Sequence, residues 1–101
     1  MAKFVYIYSG GKMPETPEEG QQVMAAWMSW MGGLGAAIID QGNPFGASTT
    51  VTPSGANGNA GTAGGYTLIN ADSLDDAAKM ADGCPILAAG GTVSVYEAVE
   101  M

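Results

Sequence analysis

The stretch "YTLINADSLDDAAKMADGCPILAAGG", residues 66–91, contains a strand, a helix and a chain reversal in 26 residues. "GYTLINA" (65–71) has the aromatic and β-branched content of a strand. Ser73 is placed to cap the helix that follows, with Asp76 as its capping-box partner. Leu74, Ala77, Ala78 and Ala81 fall on one helical stripe. Gly83 is read as the left-handed residue that ends the helix, and Pro85 as the residue that forbids its continuation. "CPILAAGG" (84–91) then reads as a compact connection to the last strand, "TVSVYEAVE" (92–100).

The N-terminal half repeats this order. "KFVYIY" (3–8) is a strand that is apolar on both faces, with Phe4, Tyr6 and Tyr8 on one side and Val5 and Ile7 on the other. Two apolar faces imply cover on both, as for a central strand. "ETPEEGQQVMAAWMSWMGGLG" (15–35) is a helix with Thr16 as N-cap, Pro17 in the first helical position and Glu19 completing a capping box. Val23, Trp27, Trp30 and Leu34 form its core stripe, Met24, Met28 and Met31 widen that stripe as further core, and Gly35 is its left-handed stop. "AAIIDQGNPF" (36–45) reads as a strand entering a turn at Gly42, Asn43 and Pro44, and "ASTTVT" (47–52) as a short strand or an edge extension. The segment from Pro53 to Gly65 is a flexible glycine-rich insertion with nothing to bury. No Lys-Ser/Thr pair and no helix follow it, so it is not a phosphate loop.

The order β-α-β-β-α-β predicts one α+β domain over 1–101, a ferredoxin-like subunit with a four-stranded antiparallel sheet and both helices on one face. The other face is then bare. We expect it to carry a subset such as Tyr6 and Tyr8, too apolar to leave in water, and sealed by a second copy of the chain. A charged fraction of 13%, about half the usual value, agrees with a surface partly buried against itself.

Composition narrows function mainly by exclusion. The net charge is −7, with Lys3, Lys12 and Lys79 as the only cations and no Arg. Phosphate neutralisation needs clustered cations, so nucleic acid is rejected as a partner, and anionic membranes with it. The sequence has no His and one Cys, which leaves little from which to build a transition-metal site, and no cofactor is expected. The lone Cys excludes an internal disulfide and suits a reducing compartment. "MAKFVYIYSGGK" has too short an apolar run for a signal peptide, and no window is long and apolar enough for a span. The expectation is a cytoplasmic protein of bacterial type.

"VYIYSGGKMPETPEEG", "GNPFG", "ADSLDDAAKMADGCPILAAGG" and "VSVYE" together resemble the YCII-related family, in particular its DGPF-domain branch. The resemblance spans nearly the whole chain and implies a dimeric α+β barrel of ferredoxin-like subunits. Active relatives similar to a chlorohydroquinone dehydrochlorinase are thought to use a His on the first helix and an Asp just before the proline that follows the second. Here the segment from Val23 to Trp27 offers no His, and Cys84 precedes Pro85. The pair cannot be carried over.

No residue is therefore assigned as catalytic or as a metal ligand. Tyr6, Tyr8, Asp40 and Tyr96 are the candidate pocket-lining residues: phenols can donate hydrogen bonds, and a partly buried Asp can act as a base. Cys84, Pro85 and Gly83 are read as structural. A thiol beyond a helix C-terminus, with no cation beside it, should stay protonated and inert. The expected function is a non-catalytic small-molecule-binding or accessory homodimer taking a small apolar or aromatic molecule. One alternative is a lyase- or isomerase-type enzyme using Tyr and Asp groups in the dimer cavity. A second is a regulatory protein-interaction module.

Overall fold

The computed structural model describes residues 2–56, 58 and 61–101. The main elements are β1 (Ala2–Ser9), α1 (Pro17–Leu34), β2 (Ile38–Asp40), β3 (Val51–Thr52), β4 (Gly55–Ala56), β5 (Ala63–Ala71), α2 (Leu74–Met80), α3 (Pro85–Ala88) and β6 (Thr92–Ala98). The main sheet has the order β2-β5-β1-β6, with every neighbour antiparallel. This is the ferredoxin-like α+β arrangement that the order of elements predicts.

Both long-range helices start where their caps say. Thr16 Oγ1 accepts from the Glu19 N–H at 3.1 Å, and Ser73 Oγ accepts from the Asp76 N–H at 3.1 Å. Each hydroxyl satisfies an N–H that has no partner within the helix. The Glu19 carboxylate reaches back to the Glu15 N–H at 2.9 Å, one residue before the cap itself. α1 ends at Gly35, whose φ of 54° is open to a residue without a Cβ.

The core lies between the sheet and the helices. Phe4, Tyr6, Tyr8, Ile69, Ala71, Ala77, Ala81 and Cys84 are buried together, with Trp27, Trp30, Leu34, Val93 and Val95 packed against them. Burying a side chain such as Phe4 stabilises the fold by about 1.5–3 kcal/mol. This overturns the expected placement of Tyr6 and Tyr8 on the bare face: they are 0% and 6% exposed, beneath the helices. Buried phenols need acceptors, and the helix side provides them. The Tyr6 hydroxyl donates to the Ala77 carbonyl of α2. The Tyr8 hydroxyl donates to Thr67 Oγ1 at 2.7 Å, and Thr67 in turn donates to the Gln41 carbonyl at 2.9 Å. The open face carries the alternate set, Val5, Ile7, Tyr66, Leu68 and Tyr96, which β pairing places in adjacent rows.

Other expectations are corrected. Met24 and Met28 are 62% and 69% exposed, so the methionine row does not extend the core, and Leu74 also faces solvent. Gly83 does not have positive φ. It lies in a 3-10 turn over Ala81–Gly83, and a Cβ there would stand 3.4 Å from the Trp30 ring. The indole packs against this turn, and its Nε1–H donates to the Met80 carbonyl at 3.1 Å. Pro85 does not merely interrupt the chain: it is the first residue of α3, where its missing N–H has no helical partner to lose. The strand read over 36–45 shrinks to Ile38–Asp40, because a 3-10 turn precedes it and the register with β5 slips at Asp40. Of the insertion from Pro53 to Gly65, residues 57, 59 and 60 lie outside the described residues. The remainder includes β4, paired with β3 in a separate two-stranded sheet, while Ala63, Gly64 and Gly65 belong to β5.

Candidate functional site

The sequence-predicted pocket residues do not assemble within one chain. Tyr6 and Tyr8 are in the core and line neither principal cleft. Asp40 is exposed, and its Oδ1 accepts from the Gly42 N–H at 2.8 Å, a turn-forming bond. Tyr96 is 60% exposed on the open face. Asp40, Leu68, Val5 and Tyr96 follow one another across the four strands. Three inter-strand spacings therefore separate Asp40 from Tyr96, roughly 14 Å.

Burial also withdraws the titratable groups of the core from acid–base work. It pushes the Tyr6 phenol up to about 12, with the neighbouring Cys84 adding to the rise. Burial raises Tyr8 further, although its bond to Thr67 acts in the opposite sense. Cys84 is 2% exposed, and burial raises its thiol too, against a lowering by the Ile86 backbone N–H. A protonated thiol is a poor nucleophile at neutral pH.

Two open clefts stand out among the described residues. One, of about 500 Å3, lies beside α2 and the end of β5, between Ala36, Ala37, Ala71 and Met80 and the surface groups Asn70, Asp72, Asp76 and Lys79. The other, of about 410 Å3, is built from two consecutive segments and a third that is distant in sequence. Lys12, Met13, Pro14 and Glu15 come from the β1–α1 connection, Glu19, Gln22, Val23 and Ala26 from α1, and Pro85, Ala88 and Ala89 from α3 and its end. The Lys12 N–H donates to the Ala89 carbonyl at 2.8 Å, tying the first segment to the third. Gly91 permits this approach, since a Cβ there would lie 2.7 Å from the Ser9 carbonyl oxygen.

The second cleft is the better candidate. It lies beside both places where the family resemblance would put a His–Asp pair: Val23 and Ala26 line it from α1, and Pro85 lines it from α3, although Cys84 itself does not. Its walls are mainly apolar, with Lys12, Glu15, Glu19 and Gln22 as the polar groups. None of these was singled out for a site by the sequence. The signal that could have found them was the position of Pro85 relative to α1, which only tertiary packing supplies. Among the described residues, no group of three or more His, Cys, Asp or Glu side chains is arranged to hold a metal ion. No described helix is long and apolar enough to cross a membrane.

Comparison with solved structures gives the same fold. The chain is similar to the 5-chloro-2-hydroxyhydroquinone dehydrochlorinase TftG from Burkholderia phenoliruptrix AC1100, solved in complex with 2,5-dihydroxybenzoquinone. The TM-score is 0.58 at 21% identity, over 97% of this chain and 95% of that one. No curated protein matches it. The sequence pattern of the YCII-related domain matches residues 4–101, and the chain therefore belongs to the YCII-related family.

Proposed function

We propose that the protein is a non-catalytic small-molecule-binding homodimer that holds a small aromatic molecule in the cleft between α1 and α3. The observation that carries this reading is the make-up of the cleft. Val23, Ala26, Pro85, Ala88 and Ala89 supply apolar wall, while the thiol of Cys84, next to Pro85 in sequence, is buried and kept protonated. Apolar walls with a few polar groups suit ligand binding. General acid–base catalysis needs a group tuned to the working pH, and the buried phenols and thiol are displaced away from neutrality. The dimer forms through the open sheet face, where Val5, Ile7, Tyr66, Leu68 and Tyr96 stand in adjacent rows and need cover. A free buried cysteine suits the cytoplasm as its compartment.

The quinone held by the structural neighbour supplies a probe. Trp27 follows Ala26 in α1, so 2,5-dihydroxybenzoquinone should quench tryptophan fluorescence saturably and be recovered unchanged. Ala26→Trp should fill the cleft and abolish quenching while leaving the circular dichroism intact. Absence of saturable binding, or binding unaffected by Ala26→Trp, defeats the proposal. Leu68→Glu should halve the solution mass if the sheet faces meet.

A lyase or isomerase is the second reading, favoured by the fact that the structural neighbour is an enzyme. It draws on Lys12, Glu15 and Glu19 in the cleft, since Tyr96 and Asp40 stand apart. Conversion of an added chlorinated hydroquinone, lost in Glu19→Gln, would select it over simple binding.

A further inference from the structure

We propose that residues 13–26 form a strap, pinned at both ends and loose between them, that swings onto α3 and closes the α1–α3 cleft over its ligand. The closure deepens the ligand-binding reading and rests on it for the identity of what is enclosed.

Residues 21–26 of α1 are six in succession, and all are exposed. At 3.6 residues per turn, six residues point in every direction around the helix axis, so no face of this segment is packed against the described residues. Residues 13–19 are exposed as well. Gly20 is half-buried, and a Cβ on it would meet Pro14, of the same stretch, at 3.9 Å. The bonds that close the first turn also stay inside the stretch. Glu19 N–H donates to Thr16 Oγ1, Gly20 N–H to the Thr16 carbonyl, and Glu15 N–H to Glu19 Oε2. A helix draws most of its stability from packing one face. This half of α1 has no such face, so it belongs to the part of the chain that opens most readily.

Both ends of the stretch are held. Lys12 N–H donates to the Ala89 carbonyl at 2.8 Å. At the other end the Trp27 ring stands edge-on to Tyr8 at 5.0 Å and to Trp30 at 5.7 Å between centroids, and the Trp30 indole is bonded to Met80. The change from loose to packed falls between Ala26 and Trp27.

One wall of the cleft belongs to this stretch: Met13, Pro14, Val23 and Ala26 supply its apolar part, facing Pro85, Ala88 and Ala89. The facing wall is fixed. Ile86 of α3 packs against the core, and its carbonyl accepts from the Gly91 N–H at 2.8 Å. From Pro85 to Gly91 there is no charged residue, so the approach of the strap takes no charge of α3 out of water. A ligand that touches both walls binds the closed form better than the open one, and that difference shifts the population. The sheet-face dimer uses the other side of the sheet and leaves the strap free.

Hydrogen exchange of the full chain, read by mass spectrometry, tests this with and without 2,5-dihydroxybenzoquinone. In the free chain, amides of residues 21–26 should exchange at least about tenfold faster than those of residues 27–31, although both sets are bonded within one helix. Saturating quinone should slow the first set and leave the second unchanged. Cross-linking reads the closed form without ligand, since a disulfide forms only when Cβ atoms come within about 4.5 Å. Val23→Cys combined with Ala88→Cys should link within one chain under mild oxidation; buried Cys84 stays out of the reaction. Met24→Cys combined with Ala88→Cys should not link, because Met24 does not line the cleft. Equal exchange in the two halves of α1, or no link between positions 23 and 88, overturns the strap. Saturable quenching without slowed exchange at residues 21–26 overturns the closure and leaves the binding reading standing. Absence of saturable quenching brings down the binding reading, while exchange in the free chain and the cross-link still decide the strap.

Discussion

The two faces of the main sheet are built from alternate residues of the same strands, yet they meet different surroundings. On the helix side, Phe4, Tyr6, Thr67 and Ile69 are at most 1% exposed. On the open side, the neighbouring Val5, Ile7, Tyr66 and Leu68 stay half-buried, and Tyr96 is 60% exposed. Apolar content does not separate the sets, since both contain tyrosine and aliphatic side chains. The placement of polar atoms does. Tyr6, Tyr8 and Thr67 each find a partner in α2, the sheet or the β2 end, and among the described residues no buried side-chain nitrogen or oxygen lacks one. A face that buries three hydroxyls can close only where such partners exist.

The strongest way to break this comparison is to truncate one tyrosine on each side. Tyr6 is fully buried, stacks on Trp30 at 6.0 Å between centroids and anchors α2. Tyr6→Ala should destabilise the chain by about 3–5 kcal/mol, the usual range for deletion of a buried aromatic. Tyr96→Ala should alter unfolding of an isolated chain by no more than about 0.5 kcal/mol. Urea unfolding of both variants in the Leu68→Glu background separates folding from association. Equal losses would mean that the faces do not differ as described. Tyr6→Phe isolates the hydroxyl and should cost about 1–3 kcal/mol, because the Ala77 carbonyl is left without its donor.

Alkaline titration sharpens the same contrast. Tyr6, Tyr8 and Cys84 have folded-state values raised by burial, above unfolded values of about 10 and 8.5. A raised value means that the unfolded chain releases its proton first. Their contribution is therefore complete below about pH 8.5 and is lost as pH climbs through the folded values, towards about 12 for Tyr6. Stability should fall from about pH 9 upward, and Tyr6→Phe should flatten part of that fall. A pH-independent plateau from 8 to 11 would contradict the burial of these groups.

Much of the fold was legible in the residues. Thr16 and Ser73 cap their helices with the expected hydroxyl bonds, and the element order sets the sheet. Caps and periodicity are local properties, so sequence carries them. What was not legible depends on contacts between distant segments. Alternation places Tyr6 and Tyr8 opposite Val5 and Ile7 but does not say which set lies under the helices. Gly83 reads as a turn glycine until Trp30 is found against it. The candidate cleft needs residues 12–15, α1 and α3 together, and no window of sequence holds all three.

A smaller effect is expected at Cys84. Its side chain is enclosed, and Cys84→Ala removes only the sulfur, so the loss should be about 1 kcal/mol. Native protein should react with a thiol reagent at pH 7 far more slowly than unfolded protein. Rapid labelling would show an open path to the thiol and weaken the case against chemistry in the cleft.

The smallest effect should come from the insertion between β3 and β5. Its described part is held by local bonds: Val51 pairs with Ala56, and Thr52 Oγ1 donates to the Gly55 carbonyl at 3.2 Å. This two-stranded unit is separate from the main sheet, and Val51 is 75% exposed. The true boundary is its C-terminal end. Gly64 accepts from the Phe45 N–H at 2.9 Å, and Ala63 pairs with Ser9, so both must stay. Replacing Pro53–Thr62 by a short turn shortens the loop, and halving a loop changes closure entropy by only about 0.6 kcal/mol. The melting temperature should therefore move by less than about 5 °C, upward if at all, and quinone binding should not change. A loss several times larger would mean that the insertion packs on the sheet or covers a site. Either outcome would place a third surface beside the two faces.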